Sequence, residues 1–160
     1  MSGGQTGADR AALDAARVWH IEWGGYVPAG RLAEDGRISE TYANLVETAA
    51  DDYNERTRMN VLHSDGTLIV SHGALSGGSL FTWEVAEDAG KPCRHLDLDR
   101  LTMSAAVLEI EQWLSDAAIV TLNVAGPRAS QDPRIYAATL ALVSGVLARR
   151  LPDAASADRR

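Results

Sequence analysis

The sequence predicts an α/β fold with a mainly parallel sheet, and three observations predict it. Short apolar stretches alternate with segments whose apolar residues recur at helical spacing. Strands joined through helices return to the same end of a sheet and so pair in parallel. The clearest strand, Thr67-Leu68-Ile69-Val70-Ser71, is a continuous run without polar alternation, as a strand covered on both faces requires. Finally, Gly-containing turns fall at strand ends or helix starts, where such sheets bind ligands.

The elements follow in order. A helix begins at Ala8, with Ala8, Ala11, Ala12, Ala15, Ala16 and Trp19 on one face. Ile21 to Tyr26 reads as a short strand interrupted by Gly24 and Gly25. Val27 to Arg37, containing Pro28, Gly30 and Gly36, reads as a long loop. Asp51 or Asp52 can cap a helix reaching about Leu62, and Ser64-Asp65-Gly66 turns into the 67–71 strand. The turn His72 to Gly78 opens a helix that ends near Ala89, stopped by Gly90 and Pro92. Cys93 to Leu98 is a strand. Met103, Ala106, Val107, Ile110, Trp113, Leu114 and Ala117 form a second helical stripe, and Ala118 to Val124 is another strand. Asp132 then Pro133 reads as an N-cap followed by the first helical residue. The last helix carries Ile135, Ala138, Thr139, Leu142 and Val146 on one face and is stopped by Pro152. One domain over residues 1–150 and a frayed, disordered tail over 151–160 account for the chain.

Composition narrows the function. A net charge of −7 argues against non-specific nucleic-acid binding, which draws on many cations. No apolar run approaches the ~20 residues that span a bilayer, and no signal-peptide pattern opens the chain, so the expectation is a cytoplasmic protein with no membrane partner. Cys93, the sole cysteine, reads as a buried structural thiol and excludes zinc sites of clustered cysteines. His20, His63, His72 and His95 lack metal-ligand spacing, so no protein-held metal is expected. Only Lys91 is a lysine; the remaining cations are arginines, whose planar donor fork suits phosphates and carboxylates, although most arginines are solvated surface groups.

Three Gly-containing turns carry the functional signal: Ser2 to Arg10, Ser71 to Ser79, and Asn123 to Arg128. Backbone N–H groups at a helix N-terminus, together with the helix dipole, favour a bound anion, and glycine allows close approach. Together the turns point to a small phosphorylated ligand. Neither the G-x-G-x-x-G fingerprint nor a P-loop is present, so an ordinary NAD site or P-loop is not supported. Among the aromatics, Trp19, Trp83 and Trp113 read as core, while Trp23 or Tyr26 could stack on a planar ring beside the 28–37 loop.

The run Ser-Gly-Gly-Gln-Thr-Gly-Ala-Asp-Arg-Ala-Ala-Leu-Asp, from Ser2 to Asp14, resembles the putative molybdenum carrier family, within the Rossmann-like LOG/lysine-decarboxylase-like superfamily. Gly25 to Asp35, Arg56 to Val61, Ser64 to Ile69, Leu75-Ser76-Gly77-Gly78 and Leu122 to Arg128 extend the similarity to about residue 150. The resemblance implies a Rossmann-like three-layer fold and a non-catalytic role: binding, storage or delivery of the molybdenum cofactor (phosphorylated molybdopterin), in a homo-oligomer, a tetramer. The candidate cofactor-binding residues are Gly3, Gly4, Gln5, Thr6, Gly7, Asp9, Arg31, Ser71, Gly77, Gly78, Asn123, Gly126 and Arg128, with Arg37 a weaker one. An alternative is a phosphoribohydrolase-like enzyme using Glu84, whose P-G-G-x-G-T-x-x-E motif survives here only as Gly77, Gly78 and Glu84. A nucleotide-ligand sensor is a third reading. The resemblance also implies a hydrophobic first strand before Ser2. Here Met1 alone precedes it, so the strand is expected to be missing and its place to be filled from upstream or by another chain.

Overall fold

The computed structural model of the protein describes residues 1–151; the expected tail lies, beyond Leu151, outside the described residues. α1 (Ala8–Val18) buries Ala8, Ala11, Ala12, Ala15 and Ala16, as its stripe predicts, and Leu13 beside them, while Trp19 at its C-cap is half-buried. β1 (Gly25–Val27) runs parallel to β4 (Leu45–Glu47). Between them lie a 3₁₀ turn at Ala29–Arg31 and an antiparallel hairpin of β2 (Leu32–Ala33) and β3 (Gly36–Arg37). The segment expected as one loop therefore carries a hairpin, and β4 was not expected. Strands of two or three residues are too short for a period to show. α2 (Tyr53–Leu62) is capped by Asp52, whose carboxylate accepts the Asn54 N–H at 2.8 Å.

β5 (Gly66–Ser71) is buried at every position and pairs in parallel with β6 (Cys93–Asp97) on one side and β7 (Leu122–Ala125) on the other. α3 (Gly77–Asp88), α4 (Met103–Asp116) and α5 (Ile135–Arg150) complete the chain. Leu68, Val70, Leu96 and Val124 pack with α1, α4 and α5 in the larger core. Val61 of α2 packs with Val85, Ala86 and Phe81 of α3 and with Cys93 in a separate cluster on the other side of β5 and β6. These are the three layers of a Rossmann-like α/β fold. Among the described residues, no helix is long and apolar enough to cross a membrane.

Met1 and Ser2 lie between β7 and β1, the position of the expected missing strand. The Met1 amino group donates to the Leu122 carbonyl, and Val124 N–H donates to the Met1 carbonyl at 2.9 Å. Ser2 N–H reaches the Gly24 carbonyl at 3.0 Å, and Ser2 Oγ the Val124 carbonyl at 2.7 Å. Two residues thus join the β6-β5-β7 ladder to the β1-β4 ladder. Gly25 is required at this contact, because a Cβ there would lie 1.9 Å from the Ser2 carbonyl oxygen. Beyond Ser2 the chain leaves the sheet, and the Asn60 carboxamide serves Tyr26 in place of a strand, accepting its N–H and donating to its carbonyl, both at 2.9 Å.

Three boundaries differ from expectation. The strand expected from Ile21 to Tyr26 is β1, which begins only at Gly25. β7 begins at Leu122, not Ala118. The Asp65 carboxylate accepts the N–H groups of Val120 and Thr121, at 3.1 and 2.7 Å, and Ala118 has φ 51°, so this stretch turns. α5 begins at Ile135 with Arg134 as its cap, two residues after the expected start. The Asp132 carboxylate does accept the Arg134 N–H at 3.0 Å, but its other oxygen is turned to His72.

Candidate functional site

The first Gly-rich turn wraps a buried carboxylate. Asp9 Oδ2 accepts the Gln5 N–H at 3.4 Å and Arg56 Nη1 at 2.8 Å, and the carboxylate also faces the N–H of Gly3. Burial pushes the Asp9 carboxyl above the usual range, while Arg56 and the two N–H groups oppose that rise. Gln5 Oε1 accepts the N–H groups of Thr6 at 3.0 Å and Glu34 at 2.9 Å, whereas its Nε2 is buried without a partner. Thr6 Oγ1 donates to the Glu34 carboxylate and accepts the Ala129 N–H at 3.1 Å. Several donors that the sequence offered to a ligand thus point at the protein's own acceptors. Gly4, with φ 68°, packs against Val27, Ile38 and Leu45.

The third turn presses directly on the first. A Cβ on Gly7 would lie 2.4 Å from the Pro127 carbonyl oxygen, and one on Gly126 would lie 2.4 Å from the Val70 carbonyl oxygen and 2.7 Å from Ala8 Cβ. Glu34 ties the β2–β3 hairpin to this contact by also accepting from Ser130 N–H, at 3.2 Å, and from the Ser130 hydroxyl. Asn123 lies beneath, buried, with Nδ2 3.3 Å from Thr67 Oγ1. The Arg128 guanidinium lies 5.1 Å from the Tyr53 ring centre, and that of Arg56 lies 5.9 Å from the same ring. Arg128 makes no ion pair among the described residues.

The second turn is the open one. A cleft of about 370 Å³ lies between it and the 127–134 segment, lined in part by Ser71, Ser76, Ser79, Gln131 and Arg134. Gly77 and Gly78 sit between Ser76 and Ser79 as the first residues of α3. Ser76 gives no side-chain cap, and the N–H groups of Gly77 and Gly78 have no partner among the described residues. A Cβ on Gly78 would meet nothing within 4 Å. His72 and Asp132 also line the cleft, joined Nδ1 to Oδ2 at 2.5 Å. Ser71 Oγ contacts His95 Nε2 at 2.7 Å, and His95, with Asp97 and Arg100, borders an adjoining hollow of about 580 Å³.

The structure therefore brings Gly3, Gly4, Gln5, Thr6, Gly7, Asp9, Gly126 and Arg128 into one packed corner, with Ser71 on the adjoining cleft and Gly77 and Gly78 between two of its lining residues, Ser76 and Ser79. Arg31 is elsewhere: it is buried, and its guanidinium donates to the carbonyls of Ile38, Ser39 and Tyr42 at 3.0–3.1 Å. Arg37 pairs with Glu40 at 2.7 Å on the surface. Glu84 is exposed on α3 with no hydrogen bond or ion pair among the described residues. Trp23 packs edge-on against Tyr42, and Tyr26 tilts onto His63, so neither borders the cleft. Cys93 begins β6, at the opposite end of the sheet, and burial pushes its thiol up to about 11. No group of three or more metal-ligating side chains is clustered among the described residues.

Sequence reasoning placed His72 in the second turn, but missed its pairing with Asp132 and the roles of Arg56 and Glu34 at the first turn. Arg56 and Glu34 fall in stretches flagged only by resemblance, and Asp132 was read as a helix cap. A separation of sixty residues between His72 and Asp132 carries no sequence signal.

Comparison with known proteins agrees with this architecture. The model of the circularly permutated YpsA SLOG family matches residues 1–147. A crystal structure from Syntrophus aciditrophicus SB, of a protein named there a putative molybdenum carrier protein, is 56% identical. It superposes with a TM-score of 0.90 over 91% of this chain and 92% of that one. No curated protein matches the chain. With its Gly-rich turns, parallel sheet and near-complete match to the family model, the chain belongs to the circularly permutated YpsA SLOG family.

Proposed function

We propose that the protein binds the molybdenum cofactor reversibly and stores or delivers it without turnover, as a cytoplasmic homo-oligomer. The observation that carries this reading is the cleft at the ends of β5 and β7, with the uncapped N-terminus of α3 on one side and the unpaired Arg128 guanidinium at the adjoining corner. The name given to the 56% identical relative supports the same ligand.

The residues present fit the group. Its phosphate needs N–H donors and a cation, which Gly77, Gly78 and Arg128 would supply. Its pterin edge needs partners that both donate and accept, which Gln131, Ser76 and Ser79 would provide. Its molybdenum is held by the cofactor's own dithiolene, so a protein thiolate is not required, and Cys93 lies away from the cleft. The bound group would supply oxo-transfer and electron chemistry in a recipient enzyme; this chain would hold and shield it.

Anaerobic titration of the purified protein with the cofactor tests the reading. Saturable protection of the cofactor against decay is expected, with native mass spectrometry of fresh protein showing the cofactor's mass. Decay at the same rate with and without protein would overturn it.

A further inference from the structure

His72 and Asp132 form a second recognition element in the cleft. Asp132 is fixed from two sides: Oδ1 accepts the Arg134 N–H at 3.0 Å and Oδ2 meets His72 Nδ1 at 2.5 Å. The carboxylate holds the proton on Nδ1, which settles the tautomer and leaves Nε2 as the group that can change. The His72 side chain is only 10% exposed. Its Nε2 has no partner among the described residues, yet it is not one of the sealed, unpaired polar atoms, so it reaches open space, and the space that His72 borders is the cleft.

α3 starts beside the cleft, between the lining residues Ser76 and Ser79, and offers an anion a matching end. α3 spans Gly77 to Asp88, has no acid in its first turn, and begins with the two unpartnered N–H groups of Gly77 and Gly78. A doubly charged tetrahedral group seated there gains a further charge-assisted hydrogen bond when Nε2 is protonated, and loses it when Nε2 is a lone pair.

We propose that His72, oriented by Asp132, is a proton-linked clamp for a phosphate monoester in this cleft, so that the ligand is held when the imidazole is charged and released as it loses its proton. This rests on the cleft being the ligand site, but not on the ligand being the molybdenum cofactor. The other charged or titratable groups around the pair are Arg134 and, towards the neighbouring hollow, His95, Asp97, Asp99 and Arg100. His95 is the other imidazole there. Its Nε2 is engaged by Ser71, so it is expected to respond less to a ligand.

The test uses sulfate, which matches the charge and shape of phosphate but does not titrate near neutrality. Calorimetry of the intact protein between about pH 5.5 and 8.5 should show sulfate affinity falling as pH rises, by up to about tenfold per pH unit, with proton uptake on binding. His72→Gln should bind more weakly and independently of pH. Because a variant can misfold, ring NMR signals of the unmodified protein give a second measurement: the His72 resonances should shift with sulfate and those of His20 and His63 should not. Affinity that is flat with pH, an unmoved His72 ring, or no saturable sulfate binding would overturn the proposal. If sulfate binds with this linkage but the molybdenum cofactor is not protected, the clamp stands and the cofactor reading falls. Protection of the cofactor without the linkage means the reverse.

Discussion

Replacing Gly7 with alanine tests the contact on which the packed corner depends. Gly7 has φ 81°, a conformation that costs an L side chain about 1–2 kcal/mol. The new Cβ would lie 2.4 Å from the Pro127 carbonyl oxygen and 2.9 Å from the Ala129 nitrogen, both backbone atoms that cannot rotate away. Overpacking of this kind costs about 1–3 kcal/mol. The same carbonyl accepts the Ala8 N–H at 3.3 Å, so pushing it back lengthens that bond. Alanine also restricts the unfolded chain, which offsets about 0.4–1 kcal/mol. The net expectation is a loss of about 2–4 kcal/mol, read as a lower urea midpoint and a Tm lower by about 4–16 °C. Gly73 provides the control: its φ is 85°, but a Cβ there meets nothing within 4 Å. Gly73→Ala should therefore cost about 1 kcal/mol or less, the strain partly offset by the unfolded-state gain. Equal losses in the two variants would refute the reasoning, since backbone strain would then explain everything and the turn-to-turn contact nothing.

Three further outcomes follow from the ionisable groups. Arg56→Met should destabilise by about 3 kcal/mol or more in urea unfolding, because it leaves Asp9 buried without its cation, and adding Asp9→Leu should recover part of the loss. The Cys93 thiol, pushed up to about 11 from 9.0, should at about pH 8 show roughly a hundredfold less thiolate than in the unfolded chain, so alkylation by iodoacetamide should be slow until denaturant is added. Hydroxyl donors on Ser130 and Thr6 lower Glu34, and Arg10 lowers Asp35. Both carboxyls are thus below their unfolded values, so their contribution is present above the unfolded pKa and lost as pH falls through the folded one. The protection of the Ser130 amide, its exchange measured relative to the intrinsic rate at each pH, should accordingly fall on acidification, and Glu34→Gln should remove that dependence.

What could be read in the sequence was whatever has a period or a local chemistry. The stripes of α1 and α4 and the apolar run of β5 are long enough to show their pattern. Asp52 caps α2 through its own neighbour, Asn54, so two residues suffice to predict it. β4 and the β2–β3 hairpin were illegible because they are short and depend on partners elsewhere in the chain. The same distinction runs through the site. Glycines announce where the backbone must turn or approach closely, and Gly7 and Gly126 do so. They do not announce what the backbone approaches. At both positions it is the protein's own main chain, the third turn more than a hundred residues away for Gly7 and the Val70 carbonyl of β5 for Gly126. Arg31 shows the limit for cations: its type suited a ligand, but its depth, with three carbonyls within reach, is a property of the folded loop.

Charge explains why two chemically similar turns take different roles. Both stand at helix N-termini, where partial positive charge and unpaired N–H groups call for an anion. At α1 the protein supplies its own. Asp9 lies in the first turn and takes the N–H of Gln5, and Glu34 reaches in from the hairpin to Thr6 and Ser130. A ligand dianion seated there would face two carboxylates across a few ångströms, one already pushed toward its neutral form by burial. At α3 the first turn has no acid, Ser76 gives no cap, and the side chains lining the adjoining cleft include His72 and Arg134. The first turn keeps Gly7 because it must pack against the third without side-chain width. The second keeps Gly77 at a φ of 50°, which itself favours glycine, but Gly78 where nothing crowds it, which packing alone does not require. By this reasoning Gly78→Ala should leave stability within about 0.5 kcal/mol of the wild type, as a substitution in open space at a helix start does. A ligand held on that N–H group should still be lost more readily, because the new methyl stands where the ligand approaches. A variant with stability and ligand affinity both unchanged would mean that the open turn is only a turn.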